Sequence, residues 1–136
     1  MQGLIVDYVG VLDGPEEEQY RWRHVLKALR AQGIATAVLS NDPGGPGAEP
    51  IRVLASSGVV DAVVLSGEIG AEKPDFAAFQ AAADAIGIPM QDCVMVDDSI
   101  VNVRGAVEAG LVGSYYQQFD RTLVELQSIF KFEGEF

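Results

Sequence analysis

Four short strings of this sequence carry residues able to do chemistry. Asp7 leads DYVGVLDG, Ser40 and Asn41 lie in LSND, Lys73 lies in GAEKPD, and Asp97 and Asp98 lie in VMVDDS. Carboxylates brought close together resist full ionisation unless a cation joins them. Hard oxygen donors of this kind suit Mg²⁺, which keeps water among its ligands. Lys73 and the Ser40 hydroxyl add a cation and a hydrogen-bond donor, the groups that an anion such as phosphate requires. The chemistry open to such a set is attack by an aspartate on phosphorus, with metal and lysine neutralising charge. Taken singly, each residue has a plainer reading. An Asp after a strand is usually a turn or a helix cap, and Ser40-Asn41-Asp42-Pro43 could be merely a turn. The functional reading rests on the set and on its order.

These residues are expected to be delivered by an alternation of strands and helices. Gly3 to Asp7 reads as a short buried strand. Glu17 to Gln32 reads as a helix, with Trp22, Val25, Leu26 and Leu29 on one face and Glu16, Glu17 and Glu18 at its electropositive start. Ala35 to Ser40 is a second strand, and the Gly- and Pro-rich Asn41 to Pro50 is a loop. A short helix around Ile51 to Ser57 precedes a third strand, Ala62 to Leu65, and a loop, Ser66 to Pro74. Asp75 is placed to cap a helix that reaches Ile86 and stops at Gly87. Val94 to Val96 is the fourth strand, Ser99 to Ala109 a helix, and Leu111 to Tyr115 the fifth strand. A last helix runs from about Arg121 to Phe130, and the tail FEGEF reads as loose. This pattern predicts an α/β fold: a five-stranded parallel sheet with helices on both faces, a three-layer sandwich. Ligands of such sheets bind at the carboxyl ends of the strands, near the topological switch point. Asp7, Ser40, Lys73 and Asp97 all follow or end strands, so one rim would receive them.

Composition narrows the class. The 136 residues suit one domain, residues 1–136, and an apolar fraction of 49% suffices for one core. A formal charge of −11 argues against nucleic acid and anionic membrane as partners, since both need basic side chains to displace counterions. The single cysteine, Cys93, reads as a core residue and fits a reducing cytoplasm. No leader is readable before the first strand, and no apolar run approaches the roughly 20 residues that cross a bilayer. A cytoplasmic protein is the expectation.

The four strings together resemble the motifs of the haloacid dehalogenase-like (HAD) hydrolase superfamily, and the resemblance covers nearly the whole chain. DYVGVLDG resembles the first motif, whose leading Asp is the covalent nucleophile, here Asp7. LSND resembles the second, which holds the phosphoryl group, here through Ser40 and the Asn41 backbone. GAEKPD resembles the third, whose lysine steadies nucleophile and phosphate, here Lys73. VDDSIVNVRGAVEAG resembles the fourth, whose acids hold Mg²⁺. The resemblance implies a Mg²⁺ site made of Asp7, the Val9 backbone carbonyl, Asp98 as a direct ligand and Asp97 as a direct or water-mediated one. It also implies a Rossmann-like fold and a supporting hydrogen bond from Asn102. The intervals between motifs leave no room for a cap domain. The chain thus resembles capless members, which act on large substrates or use a neighbouring subunit as a lid, so a homodimer is one expectation. The implied substrate is a phosphorylated small molecule or macromolecule.

Val9 is the departure. Family phosphatases carry a second Asp there, which protonates the leaving oxygen and then activates water. Valine does neither, and losing a positioned acid/base costs about 10²–10⁴-fold in rate. Two alternatives follow: a Mg²⁺- and phosphate-binding or partner-binding domain without efficient turnover, and a metal-independent dehalogenase. The retained Asp97–Asp98 pair argues against the second. Phosphonate-cleaving members also lack the acid but depend on a cap lysine. Weaker claims belong to His24, a mid-helix residue; to Asp13 and Asp42, loop residues; and to Tyr115 and Tyr116, which lie at a rim or an interface.

Overall fold

A computed structural model describes residues 2–136. The strands are β1 (Gly3–Val6), β2 (Ala35–Ser40), β3 (Ala62–Leu65), β4 (Cys93–Asp97) and β5 (Val112–Tyr115). They form one parallel sheet in the order β3-β2-β1-β4-β5. The helices are α1 (Glu16–Ala31), α2 (Glu49–Ser56), α3 (Ser66–Ile69), α4 (Phe76–Ile86), α5 (Ile100–Ala109) and α6 (Phe119–Phe130).

Alternation along the buried strands sends side chains to two separate cores. Leu4, Val6, Val38, Val94 and Val96 pack with Trp22, Leu26 and Leu29 of α1 and with Phe119 and Leu126 of α6. Ile5, Ala37, Leu39 and Met95 pack with Phe79, Ala82 and Ala83 of α4 and with Ala106 of α5. Helices therefore cover both faces, which is the predicted three-layer arrangement. Apolar spacing on α1 buries Trp22, Val25, Leu26 and Leu29, and its first turn carries Glu16, Glu17 and Glu18 after Pro15.

The central strand β1 has β2 on one side and β4 on the other, with Val6 paired to both Val38 and Val96. The chain moves outward from β1 to β3, then returns to the far side of β1 as β4. That reversal is the switch point of the sheet, and it sets the ends of β1 and β4 side by side.

Several expectations need correction. The segment Ser66–Pro74 is not all loop, since α3 occupies its start. The Asp42 carbonyl accepts from Gly67 N at 2.9 Å and from Ser66 Oγ at 3.1 Å, which winds this stretch into a helical turn. Asp75 stands at the start of α4 but makes no side-chain capping bond. Helix α6 begins two residues earlier than Arg121, at Phe119. The tail is not loose: Phe132 is buried and meets Phe136 edge to face at 5.6 Å, and Arg21 Nε donates to the Phe136 backbone oxygen at 2.8 Å. The composition of the tail hid this, because its two aromatic rings are separated by acidic residues that stay at the surface.

Between β1 and β2 the chain holds one irregular turn and α1; between β2 and β3 it holds a short loop and α2. Among the described residues, no helix is long and apolar enough to cross a membrane.

Candidate active site

Asp7 is fixed by β1 on one side and β4 on the other, its backbone N–H donating to the Val96 carbonyl at 2.9 Å. Lys73 enters from the loop after α3. Its ammonium lies 2.8 Å from Asp7 Oδ1 and 2.8 Å from Asp97 Oδ2, with the lysine side chain only 1% exposed. An extended lysine loses much rotamer freedom on burial, so the loop that delivers it must itself be held. Asn41 does this: its Oδ1 accepts from Lys73 N at 2.9 Å and its Nδ2 donates to Lys73 O at 3.0 Å. The next residue, Pro74, joined through a cis peptide bond, rests on Gly105 of α5. A Cβ on Gly105 would lie 2.6 Å from Pro74 Cβ and 2.8 Å from its carbonyl oxygen.

Asp97 is fully buried, and three donors hold its carboxylate. They are Lys73 Nζ, the Ser99 N–H at 2.9 Å, and Asn102 Nδ2 at 3.2 Å. Ser99 also caps α5, accepting from the Asn102 N–H at 3.3 Å. Asp98 is exposed and faces the turn after β1, where Gly10 has φ +83°. That positive φ favours glycine, and a Cβ there would collide with the Asp98 carboxylate. One oxygen from each of Asp7, Asp97 and Asp98 lies within 4.8 Å of the others.

The electrostatics of this cluster are unbalanced. Burial pushes the Asp7 carboxyl up to about 7; Lys73 opposes the shift, and the Asp97 charge adds to it. Three carboxylates face one ammonium, which bonds only Asp7 and Asp97 and leaves the cluster with a deficit of positive charge. A divalent cation would supply that deficit, and the oxygen-only donor set is the kind Mg²⁺ prefers. The residues present therefore fit such an ion.

The five residues of the sequence reading thus divide. Asp7, Lys73, Asp97 and Asp98 converge, while Ser40 is buried at the end of β2, the strand beside β1. Asn41 joins them with its side chain committed to the Lys73 backbone, a role beyond the backbone contact expected of it. Asn102 does reach the site, through Asp97. The weaker candidates have other partners. Asp13 accepts from Gly10 N at 2.7 Å, and Asp42 from Gly44 N at 2.8 Å. His24 is exposed on α1, 4.4 Å from the Tyr20 ring. Tyr116 is core packing: it lies 5.9 Å from the Trp22 ring, and its hydroxyl donates to Glu18 at 2.8 Å. Cys93 is a buried thiol, pushed up to about 11 chiefly by burial, and so inert. Gly105 was not foreseen; a glycine inside a helix carries no signal of what lies against it.

The chain belongs to the haloacid dehalogenase-like hydrolase family, whose model matches residues 7–110. It is 34% identical over 107 residues to phosphatase MT3486 of Mycobacterium tuberculosis (strain CDC 1551 / Oshkosh), covering 78% of this chain and 48% of that protein. The chain spans about half or less of the length of the curated relatives it matches. A crystal structure of an uncharacterized protein from Corynebacterium glutamicum ATCC 13032 Kitasato superposes with a TM-score of 0.98 at 68% identity, covering 100% of this chain and 99% of that one. The HAD family enzyme bt-2542 of Bacteroides thetaiotaomicron, solved in complex with magnesium and inorganic phosphate, shares the fold. Its TM-score is 0.65 at 15% identity, over 90% of this chain and 98% of that one.

Proposed function

We propose that this chain is a magnesium-dependent phosphohydrolase that takes the phosphoryl group of its substrate onto Asp7. The observation that carries the reading is the buried Lys73 ammonium, 2.8 Å from Asp7 and from Asp97. Lys73 holds Asp7 Oδ1 at 2.8 Å and so orients the carboxylate for attack. The same ammonium adds positive charge where phosphoryl oxygens gather negative charge. Ser40 and the Asn41 backbone end the neighbouring strand and are the donors assigned to the phosphoryl oxygens. Asp97 orients Lys73, because its own oxygens are occupied by Lys73, Ser99 and Asn102. Asp7, Asp98 and the Val9 carbonyl are the groups proposed to hold Mg²⁺, with Asp97 reaching it through water. When bound, Mg²⁺ supplies charge neutralisation at the phosphoryl group.

The site opens on the rim without an inserted domain above it among the described residues, so we read the chain as a capless family member. The family's phosphatase-named relative and the magnesium- and phosphate-bound structure of the same fold support phosphoryl chemistry. We place the protein in the cytoplasm, where its single buried thiol would stay reduced. Val9, exposed and apolar, favours a second reading: a domain that binds Mg²⁺ and a phosphorylated ligand with little turnover.

Cleavage of an aryl phosphate separates the two. Turnover that needs Mg²⁺ and disappears in Asp7→Asn supports the phosphohydrolase. Magnesium binding with no turnover supports the binding domain.

A further inference from the structure

The acids around Asp7 are already committed, and this limits which bonds the site can break. Asp97 is buried under three donors. Asp13 and Asp42 accept from Gly10 N and Gly44 N within their own turns. His24 lies out on α1 against Tyr20. Asp98 belongs to the acid cluster itself, one of its oxygens lying within 4.8 Å of oxygens of Asp7 and Asp97. Val9, in the turn that follows Asp7, is 60% exposed and has no proton to give. The Lys73 ammonium is held between Asp7 and Asp97 at 2.8 Å from each, and Val9 offers no carboxyl to protonate a departing oxygen.

We infer that the site cleaves phosphoryl groups whose leaving oxygen is stable as an anion, acyl phosphates above all and phosphates of acidic phenols next, and discriminates against alkyl phosphates. The inference rests on the phosphohydrolase reading above and names its substrate class. In the first step an Asp7 oxygen forms a bond to phosphorus. The bond from phosphorus to the leaving oxygen breaks, and its electron pair goes with the departing carboxylate or phenolate. No proton moves. In the second step water attacks phosphorus, the electron pair of the breaking bond returns to Asp7, and the water proton passes to phosphate or solvent. A carboxylic acid has a pKa of about 4 and a phenol about 10. An alcohol, like water at about 15.7, departs poorly without a proton. A missing acid therefore weighs on alkyl phosphates by about 10²–10⁴-fold and hardly on acyl phosphates.

The test uses the Mg²⁺-loaded chain with acetyl phosphate, a series of ring-substituted phenyl phosphates and glycerol 3-phosphate, in wild type and in Val9→Asp. Val9 is exposed, so a carboxylate is tolerated there, and Val9→Asn serves as the same-sized variant without an acid. Expected is a steep fall of kcat/KM with leaving-group pKa in wild type and in Val9→Asn. Val9→Asp should flatten it by raising the poor leaving groups on the order of 10²-fold or more. Turnover that needs Asp7 yet is as fast on glycerol 3-phosphate as on acetyl phosphate overturns the inference and leaves the phosphohydrolase reading standing. A Val9→Asp gain equal for every leaving group also overturns it. Absence of Asp7-dependent cleavage of any probe overturns the reading beneath it, and the inference with it.

Discussion

The side-chain amide of Asn41 grips the backbone of Lys73 at both ends, accepting from its N–H at 2.9 Å and donating to its carbonyl at 3.0 Å. One polar side chain at the end of β2 thereby fixes the loop that carries the only cation bonded to Asp7 and Asp97 among the described residues. Replacing Asn41 by Ala removes both bonds, each worth about 0.5–1.5 kcal/mol. We expect thermal unfolding to report a loss of about 1–3 kcal/mol. The proposed turnover should fall on the order of 10²-fold, as a displaced catalytic group costs. A variant that loses stability and keeps its rate would limit Asn41 to a structural part.

Lys73→Met tests the buried charge balance. It leaves the Asp7 and Asp97 carboxylates facing each other without their ammonium. Breaking a buried pair in this way costs about 3–5 kcal/mol. Chemical denaturation near pH 8 should show a loss of that size, and affinity for inorganic phosphate should fall with it. Unchanged phosphate affinity would remove Lys73 from the anion site.

Asp7 also makes a statement about pH. Its carboxyl is pushed up to about 7, chiefly by burial and against the pull of Lys73. The unfolded chain gives up this proton near the ordinary value of about 3.9, whereas the folded chain holds it to about 7. Across that window the folded state binds more protons, so stability falls as pH rises. In chelator, denaturation midpoints should therefore drop between pH 4 and pH 7, by more in wild type than in Asp7→Asn. Added Mg²⁺ should flatten the wild-type curve. Equal slopes in the two proteins would mean that Asp7 titrates normally.

Gly105→Ala carries a prediction opposite to helix propensity, which favours alanine by about 1 kcal/mol. Here the new Cβ meets Pro74 at 2.6 Å. We expect destabilisation of about 1–3 kcal/mol by overpacking, together with slower turnover as Lys73 is pushed off Asp7. A stabilised variant of normal rate would show that α5 yields instead.

Much of this arrangement was legible in the sequence, for identifiable reasons. Buried strands such as Ile5 and Val6, and the apolar face of α1, follow periodicities that packing enforces. The alternation of strands and helices fixed parallel pairing, and the rule for strand ends pointed to Asp7, Ser40, Asp97 and the loop with Lys73. What stayed hidden depends on contacts between distant segments. Asn41 reads equally well as a turn residue, and only the approach of the loop 32 positions away gives its amide two partners. Asp97 and Asp98 are neighbours of one type, yet one is buried under three donors and the other exposed. That split depends on where β4 ends and α5 begins, a boundary that periodicity places only to within a residue or two. Gly105 and the packed tail belong to the same group.

Everything proposed for this site depends on Asp7 receiving the phosphoryl group. The most direct measurement mixes the Mg²⁺-loaded protein with acetyl phosphate, quenches in acid within the first turnover, and weighs the intact chain and its peptides. Expected is the added mass of one phosphoryl group on the peptide that contains Asp7, and none in Asp7→Asn. Turnover of acetyl phosphate with no label on that peptide, or turnover undiminished in Asp7→Asn, would contradict it.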